Sequence, residues 1–262
     1  MQKTALTHRL DGIPTVEIEA LPFASIDRGG VLEVVFGALS EGSGGWLVTA
    51  NVDFTQRAAG SHEVAALYRK ASLIVADGMP LVWASRLMGR PVPERVTGSD
   101  LSWDLAARAA EEGRSVYLLG GAGESGARAA RALEERYPGI RIAGVDSPRV
   151  DPRPTEAQVE AVLASIGSSA PDLLFVALGS PKQEYLIDAL RPHLPSTWMV
   201  GVGITLSFIA GDVARAPSVL GSLGLEWVHR LAQEPGRLAE RYLRRNLPYA
   251  ARLLFRSALR RA

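Results

Sequence analysis

Asp77 closes an apolar run, SLIVA over 72–76, and is followed at once by Gly78. Aliphatic residues with almost no polar alternation form a strand buried on both faces. A carboxylate does not stay inside such a strand without a partner, so Asp77 belongs at its tip, where the chain turns. In open α/β sheets, ligands bind at the carboxyl ends of the strands. Asp77 is therefore the first candidate for a group that accepts a proton. Three other expected strand tips carry polar groups or glycines: Thr49 and Asn51, with Asp53 just beyond; Gln183 and Glu184, which open a helix; and Gly201 and Gly203. Taken singly, each has an ordinary role as helix cap, first-turn acceptor or turn former. Their convergence on the sheet edge that carries Asp77 is what points to a site. Arg95 and Gly98, in PERVTGSD over 93–100, add a guanidinium fork beside a glycine turn, an arrangement that suits a diphosphate or a sugar. Asp100 or Ser99 is placed to cap the helix that follows.

Gly121, Gly123 and Gly126 spell a literal GxGxxG between an expected strand and an expected helix, and Asp146 ends the next strand. That is the pattern of a dinucleotide-binding turn with its ribose-binding acid, so an NAD-dependent oxidoreductase stays open. The same glycines also serve a tight turn with close helix packing, or a phosphate at the helix N-terminus.

The elements that must carry these residues follow a βαβ pattern, which implies a Rossmann-like α/β fold with a mostly parallel sheet flanked by helices. Strands are expected at 46–51, 72–76, 115–120, 140–145, 172–179 and 198–203. Helices are expected at 57–70, 81–88, 100–112, 125–137, 155–165 and 183–190. A small antiparallel ribbon at 16–19 and 24–27 precedes a helix at 30–39. After Gly211 no strand is expected. Residues 212–262 read as a helical appendage to a core at 1–211, punctuated by Pro235 and Pro248.

Charge is nearly balanced, with 29 Lys+Arg against 28 Asp+Glu, and this argues against a nucleic-acid partner. The cations concentrate at the end of the chain: Arg230, Arg237, Arg241, Arg244, Arg245, Arg252, Arg256, Arg260 and Arg261, against only Glu234 and Glu240. Spaced by fours beside leucines, they make a basic amphipathic surface suited to an anionic membrane, or to an oligomer contact. The chain has no cysteine, which excludes disulfides and thiolate catalysis, and its four histidines show no metal-ligand spacing, so no metal is expected. The start of the chain does not read as a signal peptide. The longest uncharged stretch, 194–211, is broken by Pro195 and reads as a buried strand and turn rather than a membrane span.

In order, the segments VTAN (48–51), ADG (76–78), ERVTGSD (94–100), YLLGG (117–121), LGSPKQE (178–184), VGVG (200–203), RAP (215–217) and GLEWVHRLAQEPGR (224–237), followed by Arg241 and Tyr242, resemble the WecG/TagA/CpsF family of bacterial glycosyltransferases. The resemblance spans roughly residues 16 to 242. It implies an inverting, metal-independent enzyme on the cytoplasmic face of the membrane. Such an enzyme moves a sugar, N-acetylmannosamine, its uronate or a hexose, from a UDP-sugar to a polyprenyl-diphosphate-linked sugar for a surface polysaccharide. By motif, Asp77 matches the proposed base, and Thr49, Asn51, Arg95 and Gln183 match active-site positions, with Gly78, Gly98, Asp100 and Glu184 beside them. Gly120, Gly121, Gly201 and Gly203 fall where nucleotide or diphosphate would lie. Arg230, Arg237 and Arg241 belong to an arginine motif that completes the site over the diphosphate. The chain departs from the family at Ile204 and Ser207, where a glycine and an aspartate are common, and at Met79-Pro80. A sensor of sugar nucleotides without catalysis is the remaining alternative.

Overall fold

The computed structural model describes residues 10, 12–167, 170–214 and 226–260. Its centre is a six-stranded, wholly parallel sheet formed by β3 (Gly45–Ala50), β4 (Leu73–Ala76), β5 (Ser115–Gly120), β6 (Arg141–Asp146), β7 (Leu173–Ala177) and β8 (Trp198–Gly201), in the order β4-β3-β8-β7-β5-β6. Every residue of β3, β4, β5 and β7 is buried, because helices cover both faces. The edge strand β6 alternates exposed and half-buried positions.

Alternation along each strand divides the core in two. Trp46, Val48, Ile74, Val176 and Met199 face one helical layer: α2 (Val52–Gly60), α3 (His62–Tyr68), α4 (Met79–Leu87), α7 (Glu156–Ile166) and α8 (Lys182–Leu190). Leu47, Val75, Leu118, Phe175 and Trp198 face the other: α1 (Arg28–Ser40), α5 (Gly98–Glu111), α6 (Ser125–Arg136) and the short α9 (Thr205–Ile209). A hairpin of β1 (Thr15–Ile18) and β2 (Leu21–Ala24) sends Ile18, Leu21 and Phe23 into the first layer.

Several expectations shift. The ribbon turns at Glu19-Ala20, so its second strand lies three residues earlier than expected. The helix expected at 57–70 is two helices, because Ser61 starts a new one by accepting the Val64 N–H at 3.3 Å. The cap of α5 is Thr97, whose hydroxyl accepts the Asp100 N–H at 3.1 Å, and neither Asp100 nor Ser99 takes that role. The stretch after β8 forms α9 where only a turn was expected.

Among the described residues beyond 225 there is no strand. Helices α10 (Glu226–Gln233) and α11 (Pro235–Ala239) lead into a π-helical turn, Glu240–Asn246, and then α12 (Leu247–Leu259). Pro248 does not separate two helices as expected. Its missing N–H and its ring cannot be accommodated in a continuous α-helix, and the turn before it widens to π geometry. α12 packs back on α4 and α2, placing Leu253 and Ala250 in contact with the core. No helix among the described residues is long and apolar enough to cross a membrane.

Leu253 is 2 % exposed, so Leu253→Ala removes apolar packing worth about 2–5 kcal/mol. Hydrogen exchange is expected to accelerate across 226–259 and to leave β3, β7 and β8 protected. Uniform acceleration through the sheet would show instead that α12 is an integral part of the core.

Candidate active site

The carboxyl ends of β3, β4, β7 and β8 open into a cleft of about 440 Å³, roofed by the π turn and the start of α12. Thr49, Asn51, Asp77, Gly78, Arg95, Gly98, Gln183, Gly201, Gly203 and Arg241 all line it. Residues distant in sequence therefore converge as their strand-tip positions imply.

Asp77 sits just past the end of β4, half-buried. Its N–H donates to the Ala50 carbonyl at 2.8 Å, and its Oδ2 accepts the Gly98 N–H at 3.1 Å. The residue is thus held at its backbone by β3 and at its carboxylate by the Gly98 turn. A Cβ at Gly98 would come within 2.7 Å of Thr49 Oγ1, so only glycine lets this turn approach β3 while presenting its N–H to Asp77. Asn51 caps α2, accepting the Asp53 N–H at 3.0 Å.

Gln183 is buried and bonded through both its oxygen and its nitrogen. Its Oε1 accepts the N–H groups of Gly179 at 3.1 Å and Gly203 at 3.2 Å, and its Nε2 donates to Glu184 Oε1 at 2.8 Å. It therefore fastens the loop after β7 to the loop after β8. Gly201 makes room for it, since a Cβ there would lie 2.5 Å from Gln183 Nε2. Glu184 lies beneath the cleft rather than in its lining. Burial pushes its carboxyl up from the ordinary value. The Ser180 hydroxyl is close, but no aligned hydrogen bond reaches Glu184 Oε2 among the described residues.

The roof is tied down by Asp53, which sequence reasoning noted only in passing. This carboxylate is 3 % exposed and pairs with Arg57 at 3.0 Å and with Arg241 of the π turn. Arg57 also donates to Ser180 Oγ at 2.8 Å, beside the loop that Gln183 fastens. Trp227 of α10 meets Tyr242 edge-on, ring centres 6.1 Å apart, and both line the cleft. Their aromatic character was visible in the sequence, but their place over the strand tips was not. The side chains of Arg230 and Arg237 lie outside the described residues.

Asp100 does not line the cleft, and its carboxylate instead accepts from Thr97 Oγ1 at 2.7 Å. Gly120, the last residue of β5, and Gly121, in the turn before α6, also lie outside the cleft. There the N-terminus of α6 already has an anion from within the chain. Asp212 accepts from Ser125 Oγ at 2.5 Å and from Arg128 Nη2 at 2.6 Å, contacts that hold its carboxyl below the usual range. Asp146 is likewise occupied, accepting the Ser147 N–H at 2.7 Å. The helix end of the GxGxxG pattern is thus satisfied internally by Asp212, which argues against a dinucleotide phosphate there. Of the departures from the family pattern, Met79, Pro80 and Ile204 line the cleft, while Ser207 packs beside Ser125. No group of three His, Asp or Glu side chains among the described residues is arranged to hold a metal ion.

A sequence profile described as the glycosyl transferase WecG/TagA/CpsF family matches residues 16–262. The chain is also 33 % identical over 199 residues to an N-acetylglucosaminyldiphosphoundecaprenol N-acetyl-beta-D-mannosaminyltransferase of Bacillus spizizenii, an alignment covering 76 % of this chain and 75 % of that protein.

Because Glu184 has a raised pKa, the fold favours its neutral form. Its contribution to stability is complete below the unfolded value near 4.5 and is lost as pH rises through the folded value. Glu184→Gln is therefore expected to stabilise the protein at about pH 8, with the gain shrinking toward about pH 4.5, as read by urea unfolding. A difference that does not depend on pH would contradict this.

Proposed function

Since the chain belongs to the WecG/TagA/CpsF family of glycosyl transferases, we propose that it moves a sugar from a UDP-sugar to a polyprenyl-diphosphate-linked sugar. The acceptor class follows the printed activity of the Bacillus relative, which acts on N-acetylglucosaminyldiphosphoundecaprenol. N-acetylmannosamine is the first donor sugar to try, with its uronate or a hexose after it. The observation that carries the reading is the convergence of Asp77, Thr49, Asn51, Arg95 and Gln183 on one cleft roofed by a basic helix.

The chemistry is a single displacement. An acceptor hydroxyl attacks the anomeric carbon from the face opposite the nucleotide and gives its proton to Asp77. The bond between the anomeric carbon and the diphosphate oxygen breaks, and the electron pair leaves with the UDP, so configuration inverts. Negative charge develops on the departing diphosphate, and fixed cations lower its energy in a site shielded from water. Arg95 and Arg241 line the cleft and suit that task, with Arg230 and Arg237 following in the same motif. The reading requires no metal ion. The Gly98 N–H on Asp77 Oδ2 orients the carboxylate in the cleft.

Contact with a lipid-borne acceptor calls for a membrane-facing surface, and residues 212–262 are read here as the unit that supplies it. On α12, Phe255 and Leu259 are 68 % and 63 % exposed, one helical turn apart, and Arg252, Arg256 and Arg260 are exposed on the same helix. Apolar side chains that enter the headgroup region beside arginines bind anionic bilayers. These features support reading the enzyme as peripheral, on the cytoplasmic face where the nucleotide donor is made.

Asp77→Asn is expected to lower kcat at least about a hundredfold while UDP-sugar binding by calorimetry changes little. Turnover near wild type with purified donor and lipid-linked acceptor would remove Asp77 from the role of base. Phe255→Ser with Leu259→Ser is expected to reduce sedimentation with phosphatidylglycerol vesicles several-fold and to leave transfer to a short-chain soluble acceptor intact. Undiminished sedimentation would place the membrane contact elsewhere.

A further inference from the structure

Two side chains of the π turn line the cleft with a polar atom that is closed off from solvent and has no hydrogen-bond partner among the described residues: Arg241 through Nε and Asn246 through Oδ1. Unpaired buried polar atoms are rare and call for an explanation, and a ligand that brings the partner is one. The two atoms are complementary in kind, since Nε only donates and Oδ1 only accepts. The other end of Arg241 is committed to Asp53.

The π geometry is what puts them together. Arg241 and Asn246 are five residues apart. In an α-helix of 3.6 residues per turn, five residues cover nearly one and a half turns and point away from each other. A π turn closes between residues i and i+5, so both members of such a pair share a face. The next pair in this register, Tyr242 and Leu247, also lines the cleft. Pro248 immediately follows, and its missing N–H is the local cause of the widened turn. A π turn placed over a cleft and presenting two unpaired polar atoms is a ligand-reading element.

We propose that Asn246 is a specificity-determining residue whose Oδ1 accepts the N–H of a 2-acetamido sugar in the cleft, kept in register with Arg241 by the π turn before Pro248. The assignment rests on the sugar-transfer reading above. An acetamido group carries a donor-only N–H that needs an acceptor with no proton of its own, and the asparagine oxygen is one. Its carbonyl, or another oxygen of the same substrate, is left for Arg241 Nε. The acetamido group can belong to the donor sugar or to the lipid-linked acceptor sugar, since recognition is the same for both.

The test uses the full chain and compares kcat/KM for 2-acetamido and 2-deoxy sugars, first varied in the nucleotide donor with the acceptor fixed, then varied in the acceptor with the donor fixed. Wild type is expected to favour the 2-acetamido form about tenfold or more in one arm, which identifies the sugar that is read. In that arm Asn246→Leu brings the ratio close to one, and Pro248→Ala moves it in the same direction by restoring α geometry. Asn246→Asp keeps an acceptor at the position and retains the preference. If Asn246→Leu does not fold, Asn246→Ala withdraws the acceptor and reads the same ratio. A wild-type ratio near one in both arms, or equal losses on both sugars in the variants, overturns the assignment and leaves sugar transfer standing. A wild-type chain that transfers no sugar from any donor overturns the transfer reading and the assignment with it.

Discussion

A carboxylate buried to 3 % exposure is tolerable only with cations on it, and Asp53 obtains one locally and one from far along the chain. Arg57 comes from the next turn of the same helix, and Arg241 from the C-terminal roof. Removing either partner would leave charge in a place where water does not reach. The roof is therefore pinned over the strand tips by an electrostatic requirement as well as by the packing of Leu253. Through Arg57 and Ser180 the same acid touches the loop after β7. One carboxylate thus links the first strand tip, the loop that follows β7 and the last helices.

The floor of the cleft is rigid for a different reason. A parallel sheet ends in loops whose backbone N–H groups have no strand to pair with, and here side chains take them up. Gln183 gathers two of them on one oxygen, and Asp77 takes a third. Asp77 is thereby oriented in the cleft before substrate arrives. A base held in this way loses little entropy when substrate arrives, and fixed geometry is where much of an enzyme's advantage lies. In this view Gln183 shapes the site, since its oxygen and one of its amide N–H groups are already committed within the chain.

Much of this was legible from residue order. The unbroken apolar runs identified the buried strands, and polar residues or glycines at or just beyond four of them marked the tips that converge on the cleft. GxGxxG misled because a glycine turn before a helix N-terminus attracts any anion, and here Asp212 supplies one from within the chain. The helix expected at 57–70 was split by Ser61, whose capping oxygen outweighed continuous helical periodicity. Asp53 and Asn246 could not be ranked from sequence, since their significance depends on partners or neighbours brought close only by the fold. Pro248 was recognised as a disruption, but a proline can end a helix or widen it, and only the packing of α12 against α4 decides between those outcomes.

The direct measurement of the central claim is a double-mutant cycle on Asp53 and Arg241, with Asp53→Asn, Arg241→Gln and both together, read as kcat/KM for sugar transfer by the full chain. If the pair holds the roof in place, the double variant is no worse than the more damaged single variant, because both substitutions break one connection. Losses that multiply in the double variant would mean the two residues act independently, and the buried acid would not be what fastens the roof over the cleft.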